Sequence, residues 1–161
     1  MGRGRGMSGK IMAGGIVALA LIAGIAMYYL QVYYYYEEVD VANEQIVLTS
    51  FDGTEEPILA DAIEAIDATS SPIRYRACFT TPLSQAQLTE TYQIYEAAEP
   101  LVAPFWFDCF DAVEIGHALE DGRALAFLGR KNIHHGVDRV VAIDADGRGF
   151  VWNQVNEEIR K

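Results

Sequence analysis

The chain has 161 residues, 51% of them hydrophobic, with 23 Asp and Glu against 12 Lys and Arg. A formal charge of -11 at pH 7 excludes a protein built to neutralise phosphate backbones, so nucleic acid is not an expected partner. Neither of the two cysteines has a second ligand at metal-site spacing, and no cofactor or metal is expected.

Residues 1–10 form a Gly-rich basic tail with Arg3, Arg5 and Lys10. Residues 11–36 carry no charge and end in six tyrosines, Tyr28, Tyr29 and Tyr33 to Tyr36. About 20 apolar residues span a hydrocarbon core as a helix, and tyrosine is enriched where lipid meets water. The stretch therefore predicts an inserted membrane helix with an interfacial tyrosine belt. All the basic residues near it precede it and all the acids follow residue 36. The positive-inside rule then predicts a cytoplasmic N-terminus and a single pass, with the rest in the periplasm of a bacterial inner membrane. A cleaved signal peptide, ending at Gly24-Ile25-Ala26, is the competing reading. The long apolar run favours an uncleaved anchor. Gly14 with Ala18, and Ala20 with Gly24, stand four apart, the spacing at which helices approach closely in lipid. They point to self-association or to a membrane-protein partner, although Gly and Ala are common in any membrane helix.

Residues 37–45 read as an acidic stalk, 46–156 as one extracytoplasmic domain, and 157–161 as a polar tail. Residues 46–51 read as a strand broken by Asp52-Gly53. Residues 57–67 are ambiguous. Ile58 or Leu59, Ala62, Ile63 and Ile66 fit a helical stripe, so helix or irregular structure is expected, with a second strand as the alternative. From Ile73 to Phe79 the alternation is strict and predicts a strand, with Arg74 and Arg76 on one face as a candidate anion contact. Ser84, with Gln87 three residues on, predicts a capped helix that Leu88, Tyr92 and Tyr95 carry to a stop at Glu99-Pro100. Asp111 with Glu114 repeats the pattern and predicts a helix over 112–120, closed by Asp121-Gly122.

Between these helices lies the most aromatic stretch of the outer part. Phe105, Trp106, Phe107, Asp108, Phe110 and Asp111 are the candidate partner contact, apolar anchors among acids. Burial in the core is the other use such aromatics have. Residues 124–128 read as a short strand and 129–136 as a loop. Residues 137–143 and 149–155 read as strands joined by the turn Asp144-Ala145-Asp146-Gly147. That turn shares its first residues with a calcium loop, but Val155 stands where the twelfth-position acid belongs. Cys78 and Cys109 lie on the predicted oxidising side and are candidates for a disulfide, with two separate buried thiols as the alternative. The expected fold class is α+β: one transmembrane helix, then a small, mostly antiparallel sheet with about two helices.

The apolar span with YYLQVYYYYEEV, the segment from SSPIRYRACFTT to GRKNI, and DRVVAIDADGRGFVWNQ together resemble a family of small single-span alphaproteobacterial proteins. The likeness runs to about Asn156. Members of that family are sometimes labelled histidine kinase, but this chain has neither a phosphoacceptor-histidine helix nor a glycine-rich ATP lid. The resemblance implies single-span topology and no particular chemistry. Family members run on into a further Cys-bearing tail, so the pairing of Cys78 and Cys109 stays open. The expected function is a non-catalytic accessory or assembly protein that binds other envelope proteins through its span and acidic outer domain. The alternatives are a small-ligand sensor centred on Arg74 and Arg76, or a metal-handling or redox protein using the cysteines and histidines.

Overall fold

The computed structural model describes residues 9–160, and Arg3 and Arg5 lie outside the described residues. The chain divides into two compact units, with the boundary between Tyr35 and Tyr36.

The first unit is helical. α1 (Gly9–Tyr29) buries no residue, and the coil widens into a π-helical segment over Leu30–Tyr34. There the Tyr35 N–H donates to the Leu30 carbonyl, five residues back. Gly9–Tyr34 is the one helix among the described residues long and apolar enough to cross a membrane. Tyr29 and Tyr33 stack at 5.7 Å between ring centroids.

The second unit is an antiparallel sheet buried on both faces. Its strands are β1 (Glu37–Glu38), β4 (Asp61–Asp67), β5 (Arg76–Thr80), β6 (Ala124–His134), β7 (Val137–Asp144) and β8 (Arg148–Val155), in the order β1-β4-β5-β8-β7-β6. A hairpin of β2 (Val47–Thr49) and β3 (Glu55–Pro57), with Leu88 of α2 (Gln85–Thr91), covers one face. Side chains alternate across a strand, so that face collects Ala77 and Phe79 of β5, Val141 and Ile143 of β7, and Val151 of β8. Their neighbours Cys78, Val140, Ala142 and Trp152 point the other way. There they meet Phe107 and Phe110 and, from α3 (Ala112–Glu120), Ile115. A last helical turn, α4 (Glu157–Arg160), places Ile159 over Gly136, close enough that a Cβ there would overlap it. The α+β expectation holds: an apolar N-terminal helix, then a mostly antiparallel sheet domain with a few helices.

Four local expectations are corrected. The 57–67 stretch is no helix but the end of β3 followed by β4, which pairs with β5. Ala62 takes φ 50 and the register shifts between Asp61 and Glu64. That irregularity breaks the two-residue period and leaves apolar spacings that imitate a helix. The helix begun by Ser84 stops at Thr91 rather than reaching Glu99, and Tyr92 to Tyr95 are extended. Here tertiary pairing wins: the Gln93 N–H donates to Thr49 O, and Gln93 O accepts from the Leu128 N–H, stitching the hairpin to β6. The 129–136 loop is mostly strand, because β6 runs to His134 through a left-handed Asn132 at φ 50. The Asp138 carboxylate holds the Asn132 N–H there at 2.9 Å. Finally, β5 begins only at Arg76. Arg74 sits in the preceding turn, its N–H donating to Ser71 O, so the two arginines share no strand face.

Candidate functional site: a pinned aromatic ridge

The segment from Leu101 to Asp111 has no regular secondary structure, yet four devices hold it in place. Cys109 is disulfide-bonded to Cys78 of β5, with their Cα atoms 6.2 Å apart. Arg76, two residues before Cys78 and on the same face of the strand, is 4% exposed. Its Nε donates to Leu101 O at 2.9 Å and its Nη2 to Val102 O at 3.1 Å. Its Nη1 donates to the carbonyls of Ile73 and Tyr75. Burial pushes the guanidinium down to about 10, which still leaves it charged at neutral pH. A planar cation with five N–H donors suits this task, because it satisfies several buried carbonyls at once.

The third device is apolar. Phe107 and Phe110 are buried, and the Phe110 ring meets Phe150 and Trp152 edge-on at 6.1 and 6.3 Å. Trp106 is half-buried against the edges of Phe107 and of Tyr36, and the Tyr36 ring also carries the Arg74 guanidinium at 5.5 Å. The fourth device is a cap. Asp111 Oδ1 accepts from the N–H groups of Val113 and Glu114, fixing the start of α3 where the ridge ends.

The candidate contact residues therefore separate. Phe107 and Phe110 are core, Trp106 is half-buried, and Phe105 faces outward at 65% exposure. Val102 and Val113 stand out at 77% and 66% exposure, two residues that sequence reasoning missed. Their only sequence signal is a bulky apolar residue on either side of the aromatic run.

Two clefts flank the ridge. One, of about 340 Å³, is lined by Val102, Phe105, Phe107, Phe110 and Val113 among others. Its charged lining residues are Asp108 and Asp111. The other, of about 450 Å³, runs past Trp106 and Cys109 to the outer edge of β4 at Ile63. Its charged lining residues are Glu38, Glu64 and Asp108. Neither cleft has a Lys or Arg in its lining.

Arg76 clamps backbone carbonyls, while Arg74 lies over the Tyr36 ring. Arg139 lies over the Tyr75 ring at 3.8 Å and pairs with Glu44, whose carboxylate also accepts the Tyr75 hydroxyl at 2.7 Å. Burial, ahead of every other influence, raises the Tyr75 phenol above its ordinary value. Asp144 caps its own turn: its carboxylate accepts from the Asp146 and Arg148 N–H groups and pairs with the Arg148 side chain at 2.7 Å. His117 is exposed beside Glu120, while His134 and His135 close the β6–β7 hairpin. Among the described residues no three His, Cys, Asp or Glu side chains gather to hold a metal. A third cleft, of about 480 Å³, lies between Gln93 to Ala97 and the C-terminal turn. Its buried Asp138 is engaged by the Tyr95 hydroxyl, the Asn132 N–H and the Asn156 amide. Gly14 and Gly24 have open space around them on α1. Ala18 and Ala20 are exposed on the same helix.

Comparison with known proteins adds a family and no chemistry. No curated protein and no solved structure matches the chain. Residues 46–161, most of the chain and nearly all of the sheet domain, match the model of a family of unknown function, DUF6446. The chain belongs to that family.

Proposed function

We propose that this protein is a non-catalytic accessory or assembly factor, anchored by a single helix and binding other envelope proteins through its outer domain. The observation that carries the reading is the ridge. Exposed Val102 and Phe105 sit on a segment held by a disulfide, an arginine clamp and a helix cap, and exposed Val113 follows it in the first turn of α3. Ordering a flexible loop on binding costs conformational entropy, and a loop already rigid avoids that cost. Large apolar side chains kept in water by a rigid support are a mark of interaction surfaces.

The orientation belongs to the same proposal. Arg3, Arg5 and Lys10 before the span support a cytoplasmic N-terminus, and a disulfide suits an oxidising compartment beyond the membrane. The small residues Gly14, Ala18, Ala20 and Gly24 support close packing of the span against another helix. The test is purification of the full-length protein in a gentle detergent, with mass spectrometry of whatever accompanies it. A stoichiometric membrane complex is the expected result. Recovery of the folded protein alone would overturn the stable-subunit reading.

A further inference from the structure

We infer that the ridge docks a partner protein segment in which a bulky apolar side chain stands next to Lys or Arg. The inference rests on the accessory-protein reading and names the chemistry of what that surface takes.

The apolar part follows from the 340 Å³ cleft. Val102, Phe105 and Val113 line it together with the buried Phe107 and Phe110, so a leucine- or phenylalanine-sized side chain laid into this open cleft takes part of its apolar surface, and of theirs, out of water. The basic part follows from the flanks. Asp108 stands between the two clefts and lines both, Asp111 closes one and Glu64 the other, with no cation in either lining. Asp111 uses Oδ1 for the α3 cap. A carboxylate beside a dry contact gains from a partner cation that approaches without being fully desolvated. A partner carrying acids there meets like charges instead. The same carboxylates oppose two other occupants: an anionic lipid surface, and a second copy of this acidic ridge.

The experiment places the photo-crosslinking residue p-benzoylphenylalanine at position 105 of the full-length protein in its native membrane. The crosslinked segment is then mapped by mass spectrometry. The ring replaces a ring at an exposed site, and the fluorescence of the buried Trp152 verifies the fold. The expected product is a protein segment with an apolar residue within a few positions of Lys or Arg. Its yield should fall about tenfold in Asp108→Lys combined with Asp111→Asn, the second substitution keeping a side chain that caps a helix. Yield in the unaltered chain should also fall severalfold between low and high salt, because rim charges are screened.

Crosslinks to lipid, to a second copy or to a segment without a basic residue would overturn the inference. So would a yield indifferent to the two substitutions, or no product from a folded chain. A detergent-stable complex that survives while position 105 crosslinks nothing would remove the ridge as the contact and leave the accessory reading standing. A mapped basic segment without a stable complex would support the contact and remove the stable subunit.

Discussion

Removing the disulfide isolates what fixes the ridge. The perturbation is Cys78→Ala with Cys109→Ala, cysteines 31 residues apart in sequence. In the chain-entropy model, closing a loop of that length restricts the unfolded state by roughly 3.5–4 kcal/mol at 25 °C. The native packing of Phe107, Phe110 and the Arg76 clamp is untouched, so the variant should fold and simply be less stable. For a domain of about 125 residues this corresponds to a fall in melting temperature of roughly 10–20 °C. With a urea slope of about 2 kcal/mol/M, the midpoint should move down by nearly 2 M, and the slope should rise because the open chain exposes more surface. Trp152, fully buried beneath Phe110, reports the transition by fluorescence in the full-length protein in detergent. The unaltered chain treated with dithiothreitol should show the same shift. A loss below about 1 kcal/mol, with no change in slope, would refute the loop-closure reasoning and assign the ridge's stability to its side chains.

Arg76→Met strands the carbonyls of Leu101 and Val102 among others, and at about 1–3 kcal/mol for each buried unpaired acceptor it should cost at least about 3 kcal/mol by urea unfolding. Absorbance titration should find Tyr75 ionising above the ordinary tyrosine range. Its folded pKa is raised, so its contribution is fully present below the ordinary tyrosine value of about 10 and lost as pH climbs above it, a pH dependence that Tyr75→Phe removes. Gly149→Ala should cost about 1–3 kcal/mol, because its Cβ would lie 2.1 Å from the buried Phe79 ring, whereas Gly116→Ala on α3 meets nothing within 4 Å and should stabilise by about 0.5–1 kcal/mol. Gly24→Leu should weaken any detergent-stable association of the span, and an unchanged complex by native electrophoresis would remove that glycine from the contact.

Local chemistry was readable where a residue acts on its own neighbours. Ser84 with Gln87, and Asp111 three before Glu114, announce helix starts because an N-cap needs only the next turn. The Asp144 to Gly147 turn is equally local. Reading failed where distant pairing overrode spacing. Tyr92 and Tyr95 keep helical intervals from Leu88, yet Thr49 and Leu128 pull Gln93 into an extended bridge. Asn132 looks like loop until Asp138 and Asn156 are brought to it. At the ridge, composition marked the segment but not its division. Which rings face inward depends on Arg76 seizing two carbonyls some 25 residues ahead of it, and no periodicity records that.

The place of Cys78 in the sheet has a consequence for the order of assembly. β5 is flanked by β4, which comes before it in the chain, and by β8, which comes near the end. Cys109 precedes the first residue of β8, Arg148, so both sulfurs are synthesised before the strand that seals the middle of the sheet. Both cysteines also precede Trp152 in the chain. The covalent loop can thus come first and the core close upon it. A chain held reduced until synthesis is complete has to find the same strand order with that loop still open.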